Sequence, residues 1–76
     1  MAEFIVSATY PHSGQVLFVQ DRQKLLANGK KSDYGRTDKS EKALRMCKPS
    51  ATGAARYFKE CGYKDVRIID VTPPTP

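Results

Sequence analysis

Phe4-Ile5-Val6-Ser7-Ala8-Thr9-Tyr10-Pro11-His12-Ser13-Gly14-Gln15-Val16-Leu17-Phe18-Val19-Gln20 is the stretch whose reading decides the fold. Phe4, Val6, Ala8 and Tyr10 alternate with Ile5, Ser7 and Thr9, the period of a strand with one markedly more apolar face. Pro11-His12-Ser13-Gly14 carries turn chemistry, because Pro fixes φ and Gly tolerates positive φ. Gln15–Gln20 then returns with Val16, Leu17, Phe18 and Val19 as a second strand. The stretch predicts a β-hairpin.

Working toward the C-terminus, Ala51, Ala54, Ala55 and Phe58 fall at i, i+3, i+4 and i+7, the strongest amphipathic helical pattern in the chain. Ser50 is placed to cap that helix, and Gly62 after Cys61 to close it, with Tyr63 folding back over the last turn. A preceding helix is expected from Thr37 or Asp38, where Asp38 and Glu41 have capping-box spacing. Ala43, Leu44 and Cys47 form its narrow apolar stripe, Lys42, Arg45 and Lys48 line the other side, and Pro49 ends it. Asp65–Val71 reads as a final strand; Val66, Ile68, Ile69 and Val71 are apolar on both faces, which predicts deep burial or a bulge.

Two segments are less regular. Asp21–Asn28 is either a short helix capped by Asp21, or the first arm of a turn at Asn28-Gly29 of type I′. Lys30–Thr37 has Tyr34 as its one apolar residue and reads as an exposed loop. The expected architecture is α+β: a small antiparallel or mixed three-stranded sheet with one or two helices packed on one face. The order is β-hairpin, helices, final strand, with the first strand central. Residues 1–71 form a single domain, and the Pro-rich tail 72–76 is expected to be extended and mobile.

Seventy-six residues leave room for one core, and a chain this short buries only ~60–65% of its unfolded surface. Its apolar residues cluster around Phe4–Tyr10, Val16–Val19, Ala51–Cys61 and Val66–Val71, as a folded chain requires. No apolar run approaches the ~20 residues of a membrane span, and no export signal is recognisable, so a cytoplasmic protein is expected. Cys47 and Cys61 fit neither a CxxC pair nor a four-ligand zinc site. They are read as half-buried reduced thiols, with a disulfide between neighbouring helices as the alternative.

Charge is the most informative feature. Residues 21–48 hold nine of the 13 basic residues, from Arg22 to Lys48, against the acids Asp21, Asp33, Asp38 and Glu41, which gives this segment a net +5. The rest of the chain balances four against four, so the whole excess belongs to the central third. Lys30, Lys31, Tyr34, Arg36, Lys39, Lys42, Arg45 and Lys48 are therefore the candidate binding residues, a loop-helix strip over 30–48. Tyr34 either anchors the loop or stacks on a base or a sugar. The plain alternative for the strip is a solvated face, diluted by Asp33, Asp38 and Glu41.

Catalytic templates lack parts. The single histidine, His12, lies in the hairpin turn, and Ser7 and Ser13 near it would need an orienting acid and an oxyanion pocket. Gly14, Gly29, Gly35, Gly53 and Gly62 are too widely spaced for a phosphate-cradling loop. The chain is read as non-enzymatic, without cofactor or metal.

In size, α+β build and lack of catalytic parts, the chain resembles the small accessory proteins of bacteriophages and mobile elements. That resemblance covers general form only. Many such proteins block a host nucleic-acid machine, such as an RNA polymerase, a restriction enzyme or a CRISPR complex. Two expectations follow: the basic strip binds nucleic acid, or it docks as an inhibitor or adaptor on an acidic surface of a nucleic-acid-processing protein complex. A further partner is expected at Val16–Val19, which has no charge or Pro to protect an edge strand. The 21–28 segment, a second copy of the chain or a partner's strand would cover it.

Overall fold

The computed structural model describes residues 2–74, and the hairpin forms as expected, with β1 at Phe4–Thr9 and β2 at Val16–Asp21. Ser7 pairs with Phe18, Ala8 with Leu17 and Thr9 with Val16. The loop closes through the Tyr10 N–H on the Gln15 carbonyl at 2.8 Å, with Gly14 at φ 73°. Helix α1 runs Lys48–Glu60 and buries Ala51, Ala54, Ala55 and Phe58, the four residues its periodicity selects. It ends in a Schellman arrangement: the Tyr63 N–H donates to Phe58 O at 3.0 Å and the Gly62 N–H to Lys59 O at 3.1 Å. Gly62 takes the left-handed conformation this requires, and the Tyr63 ring lies 4.9 Å from that of Phe58.

The sheet has four strands rather than three. Gly35–Thr37 forms β3 and Lys64–Asp70 forms β4, in the antiparallel order β3-β2-β1-β4. β1 is interior, as expected. β3 was invisible in sequence because three residues, Gly, Arg and Thr, offer no apolar alternation. It pairs with β2 at Phe18, Val19 and Asp21, so the exposed edge is covered there by residues 35–37 and not by 21–28. The register slips by one residue between Val19 and Asp21. Gly35 sits at that slip, where a Cβ would stand 2.5 Å from the Asp21 carboxylate and 2.7 Å from its Cβ.

β4 carries the bulge and not the burial. Ser7 pairs with Arg67 but Thr9 with Lys64, so the strand holds one extra residue, and Asp65 nearby adopts φ 48°. Val66 and Ile68 are half-buried against the core, while Ile69 faces the open side of the sheet, opposite Ile5. Beyond β4, Thr72 is tied down. Its hydroxyl accepts the Glu3 N–H at 2.9 Å, and its own N–H donates to Asp70 at 2.9 Å. Of the expected mobile tail, Thr75 and Pro76 lie outside the described residues.

The helix expected from 37 or 38 to 48 does not form. A single 3-10 turn, Ser40–Lys42, replaces it, and Ala43 is already extended at φ −65°, ψ 137°. Asp38 caps nothing; instead Thr37 Oγ1 accepts the Lys39 N–H at 3.2 Å, a local bond that competes with helix formation. Tertiary pairing then decides the conformation. β1 and β2 splay toward the start of β1, and residues 44–46 fill the fork. The Leu44 N–H donates to Val19 O, and Met46 exchanges two hydrogen bonds with Phe4, each at 2.8 Å. Leu44 and Met46 thus reach the core at a spacing of two, with Met46 buried, while Cys47 is turned outward.

Two further corrections follow. Pro49 lies inside the first turn of α1, where its missing N–H costs nothing, so it starts the helix instead of ending another. Cys47, not Ser50, is the N-cap residue. The 21–32 segment resolves toward the turn reading. Leu25 bridges Lys31, Leu26 and Lys30 close the loop at 2.7 Å, and Gly29 at φ 81° is its one positive-φ residue. That is a three-residue loop with a glycine bulge, not type I′, which needs two such residues.

The main core lies between α1 and one sheet face, where Val6, Ala8, Val19 and Met46 meet the apolar stripe of α1. Among the described residues no helix is long and apolar enough to cross a membrane. Gly53 interrupts α1 on its exposed side, and a Cβ there would meet nothing within 4 Å. Gly53→Ala should therefore stabilise the fold by ~0.5–1 kcal/mol, chiefly through the unfolded chain. Thermal denaturation should show a rise of a few degrees; a fall would mean that this part of α1 needs the flexibility of glycine.

Candidate functional site

All nine basic residues from Arg22 to Lys48 are exposed. They do not share a helix face, because the only helical turn between them is Ser40–Lys42. Lys30 and Lys31 sit on the returning arm of the 21–32 hairpin, Arg36 on β3, Lys39 just before the 3-10 turn and Lys42 at its last position. Arg45 and Lys48 are the most committed. Arg45 Nη1 lies 3.0 Å from Glu3 Oε2, and the Lys48 ammonium stands 5.0 Å from the centre of the Phe4 ring. Arg36 donates to the Tyr63 hydroxyl. Of the nine, Arg45 alone forms an ion pair among the described residues.

Tyr34 is half-buried and serves as the loop anchor. Its ring lies 5.0 Å from Tyr57 and 5.7 Å from Phe58. The fold extends this into a row that the chain order conceals: Tyr34, Phe58, Tyr63 and Tyr10 follow one another, with Tyr57 beside them. All four tyrosines of the chain belong to it. The Tyr57 hydroxyl donates to the Asp33 carboxylate. That bond first, then desolvation and Cys61, pushes the phenol well above its ordinary range. Asp33 is thereby tied to α1 while remaining exposed, and it still counts among the acids of the basic segment.

Lys31 and Tyr34 are the two candidate residues brought to one concavity. A cleft of about 390 Å³ opens between the 21–34 segment and α1, and Arg22 joins them in its wall. Sequence reading passed over Arg22. Its only signal there was membership of the basic segment, because the cleft exists only once the 21–32 hairpin has closed.

Cys47 and Cys61 are both free and exposed, against the expectation of partial burial. They occupy the two ends of α1, on the order of 20 Å apart along a 13-residue helix, beyond any disulfide. The Cys47 thiol lies 3.3 Å from Ser50 Oγ. The Ser50 hydroxyl and then its backbone N–H hold the thiol below its ordinary value, with a smaller contribution from Arg22. Both thiols should accordingly react with iodoacetamide in the native protein without denaturant. The Cys47 rate should already be rising below pH ~8.5, the ordinary thiol range. Ser50→Ala should move that profile to higher pH, as read by mass spectrometry of the labelled peptide. An unchanged profile would remove Ser50 from the account.

His12 stacks edge-on against Tyr10 at 5.3 Å in the exposed hairpin loop. Among the described residues no three His, Cys, Asp or Glu side chains gather as metal ligands. What the surface offers chemically is hydrogen-bond donors, positive charge and half-exposed aromatic rings. No family model matches the chain, and no curated protein or solved structure shows a significant match to it.

Proposed function

We propose that this chain is a nucleic-acid-binding protein that contacts the phosphate backbone through its 21–48 segment, with little dependence on base sequence. The observation that carries the reading is the exposure of all nine cations of a segment with a net +5, eight of them without a carboxylate partner among the described residues. Phosphates need cations, and unpaired lysines and arginines that neutralise phosphates release the counterions condensed on the nucleic acid, which favours binding. Phosphate contacts alone position a protein without reading sequence, and the segment displays no helix face for a groove. The tyrosine row adds faces on which an unpaired base can stack, which favours single strands over duplex.

Gel shifts at ~50 mM salt with duplex DNA, single-stranded DNA and single-stranded RNA test this directly. Dissociation constants tighter than the ~10⁻⁴–10⁻⁶ M of non-specific binding at physiological salt are expected. If none of the three binds, the reading is wrong and the cations serve an acidic protein surface instead.

A further inference from the structure

We propose that the cleft walled by Arg22, Lys31 and Tyr34 is a nucleotide pocket, taking one base and its phosphate from a free nucleotide or from a single strand. Its volume, about 390 Å³, sits at the small end of the ~300–1,000 Å³ range of ligand sites, which suits one nucleotide and no more. Its lining divides by chemistry. Tyr34 and the buried Met46 supply an aromatic and a soft apolar surface for a planar base, while Arg22 and Lys31 supply two exposed cations for a phosphate. Ser50 adds a hydroxyl able to donate or accept, and no carboxylate lines the space. Neither cation has an ion-pair partner among the described residues, so neither must break a salt bridge to take a phosphate.

The walls are held by the fold. Tyr34 is pinned against Tyr57 and Phe58, and Met46 by its two hydrogen bonds to Phe4. Lys31 is fixed opposite Leu25 in the hairpin, whose arms are joined by the Lys24 N–H on Ser32 Oγ at 2.9 Å. Gly53 leaves the α1 side of the cleft without a side chain, and a Cβ there would grow into open space. The cleft is therefore present before any ligand arrives, and position 53 offers a way to fill it without disturbing the core.

The pocket deepens the reading of the basic surface but can be tested apart from it. Adenosine 5′-monophosphate, adenosine and inorganic phosphate are titrated into the labelled protein and followed by amide chemical shifts. A single-stranded oligothymidylate is measured separately by fluorescence anisotropy. The nucleotide should shift Arg22, Lys31, Tyr34, Ser50 and Gly53, slow alkylation of Cys47, and bind at least tenfold more tightly than adenosine or phosphate. Combined Arg22→Ala and Lys31→Ala should weaken it more than tenfold. Gly53→Leu should abolish it while the melting temperature is kept or raised, which separates a blocked pocket from an unfolded chain. Competition between nucleotide and oligothymidylate would show that a strand places one of its own units in the cleft; independent binding would restrict the pocket to free nucleotides. The proposal is overturned if Gly53→Leu leaves nucleotide binding intact, or if the nucleotide shifts residues scattered outside the cleft. It is equally overturned if the nucleotide does not bind, even where the oligonucleotide does, and the reading of the basic surface then stands alone. Nucleotide binding without any oligonucleotide binding would keep the pocket and remove that reading.

Discussion

Phe58→Ala is expected to remove most or all of the stability of the chain at 25 °C. Phe58 is 3% exposed as the last residue of the α1 stripe, with the rings of Tyr63, Tyr57 and Tyr34 at 4.9, 5.4 and 5.7 Å. Truncation to Ala removes the transfer energy of the ring and leaves a cavity, together costing ~3–5 kcal/mol. That cost already includes the three aromatic pairs it forms, each of order 0.5–1.5 kcal/mol beyond area burial. A domain of this length has a total stability of roughly 4–11 kcal/mol, toward the lower end given its small buried fraction. The loss therefore consumes most or all of the margin. Urea denaturation followed by helical circular dichroism should show the folded baseline shortened or gone. Tyrosine bands in the near-ultraviolet should weaken, because three of the four tyrosines lose a rigid neighbour. A melting curve like that of the parent chain would show that the core does not depend on this stripe.

That prediction rests on a part of the fold that was legible from sequence. The α1 stripe and the β1–β2 hairpin announce themselves because in each a single period runs over several residues and agrees with its flanking turn residues. The 37–48 segment failed for the opposite reason. Its apolar residues Ala43, Leu44, Met46 and Cys47 fit a spacing of two as well as one of 3.6, and only the fork between β1 and β2 selects the extended form. With that choice made, Met46 goes inside and Cys47 outside, and the burial expected for the thiol is inverted. Pro49 signals a boundary from either direction, and only the neighbouring element tells whether it ends one helix or opens the next.

The candidate site was legible in its charge and not in its shape. Composition locates the +5 excess in residues 21–48, and exposure of every cation there agrees with it. Which cations are already engaged depends on contacts between residues far apart in the chain, such as Arg45 with Glu3, 42 positions away. The tyrosine row is equally non-local: Tyr10 meets Tyr63, and Tyr34 meets Tyr57, only through the packing of α1 across the sheet. A count of aromatics within the basic segment therefore finds one where the surface has several. Arg22 was missed for the same reason, since its partners in the cleft come from the other arm of a hairpin and from α1.

Those engagements change which substitutions should matter for nucleic-acid binding. Lys30, Lys31, Lys39 and Lys42 are exposed, lie in the 21–32 hairpin or in or next to the 3-10 turn, and pair with no carboxylate among the described residues. If each meets one phosphate, the logarithm of the affinity for duplex DNA should fall with that of salt at a slope of ~0.9 per contact. Between ~50 and ~200 mM salt, four contacts give a loss of roughly 150-fold. Replacing the four lysines together with Ala should weaken binding at low salt and flatten the slope by about three to four units. Circular dichroism should stay unchanged, because none of the four lies in α1 or the core. Arg45→Ala and Lys48→Ala should cost much less, since the first is paired with Glu3 and the second stands over Phe4. Arg56, Lys59 and Lys64 serve as controls from the charge-balanced part of the chain, and their combined replacement should leave the slope nearly intact. A salt slope that survives loss of the four lysines, or that collapses with the three controls, would place the phosphate contacts elsewhere and overturn the assignment of this surface.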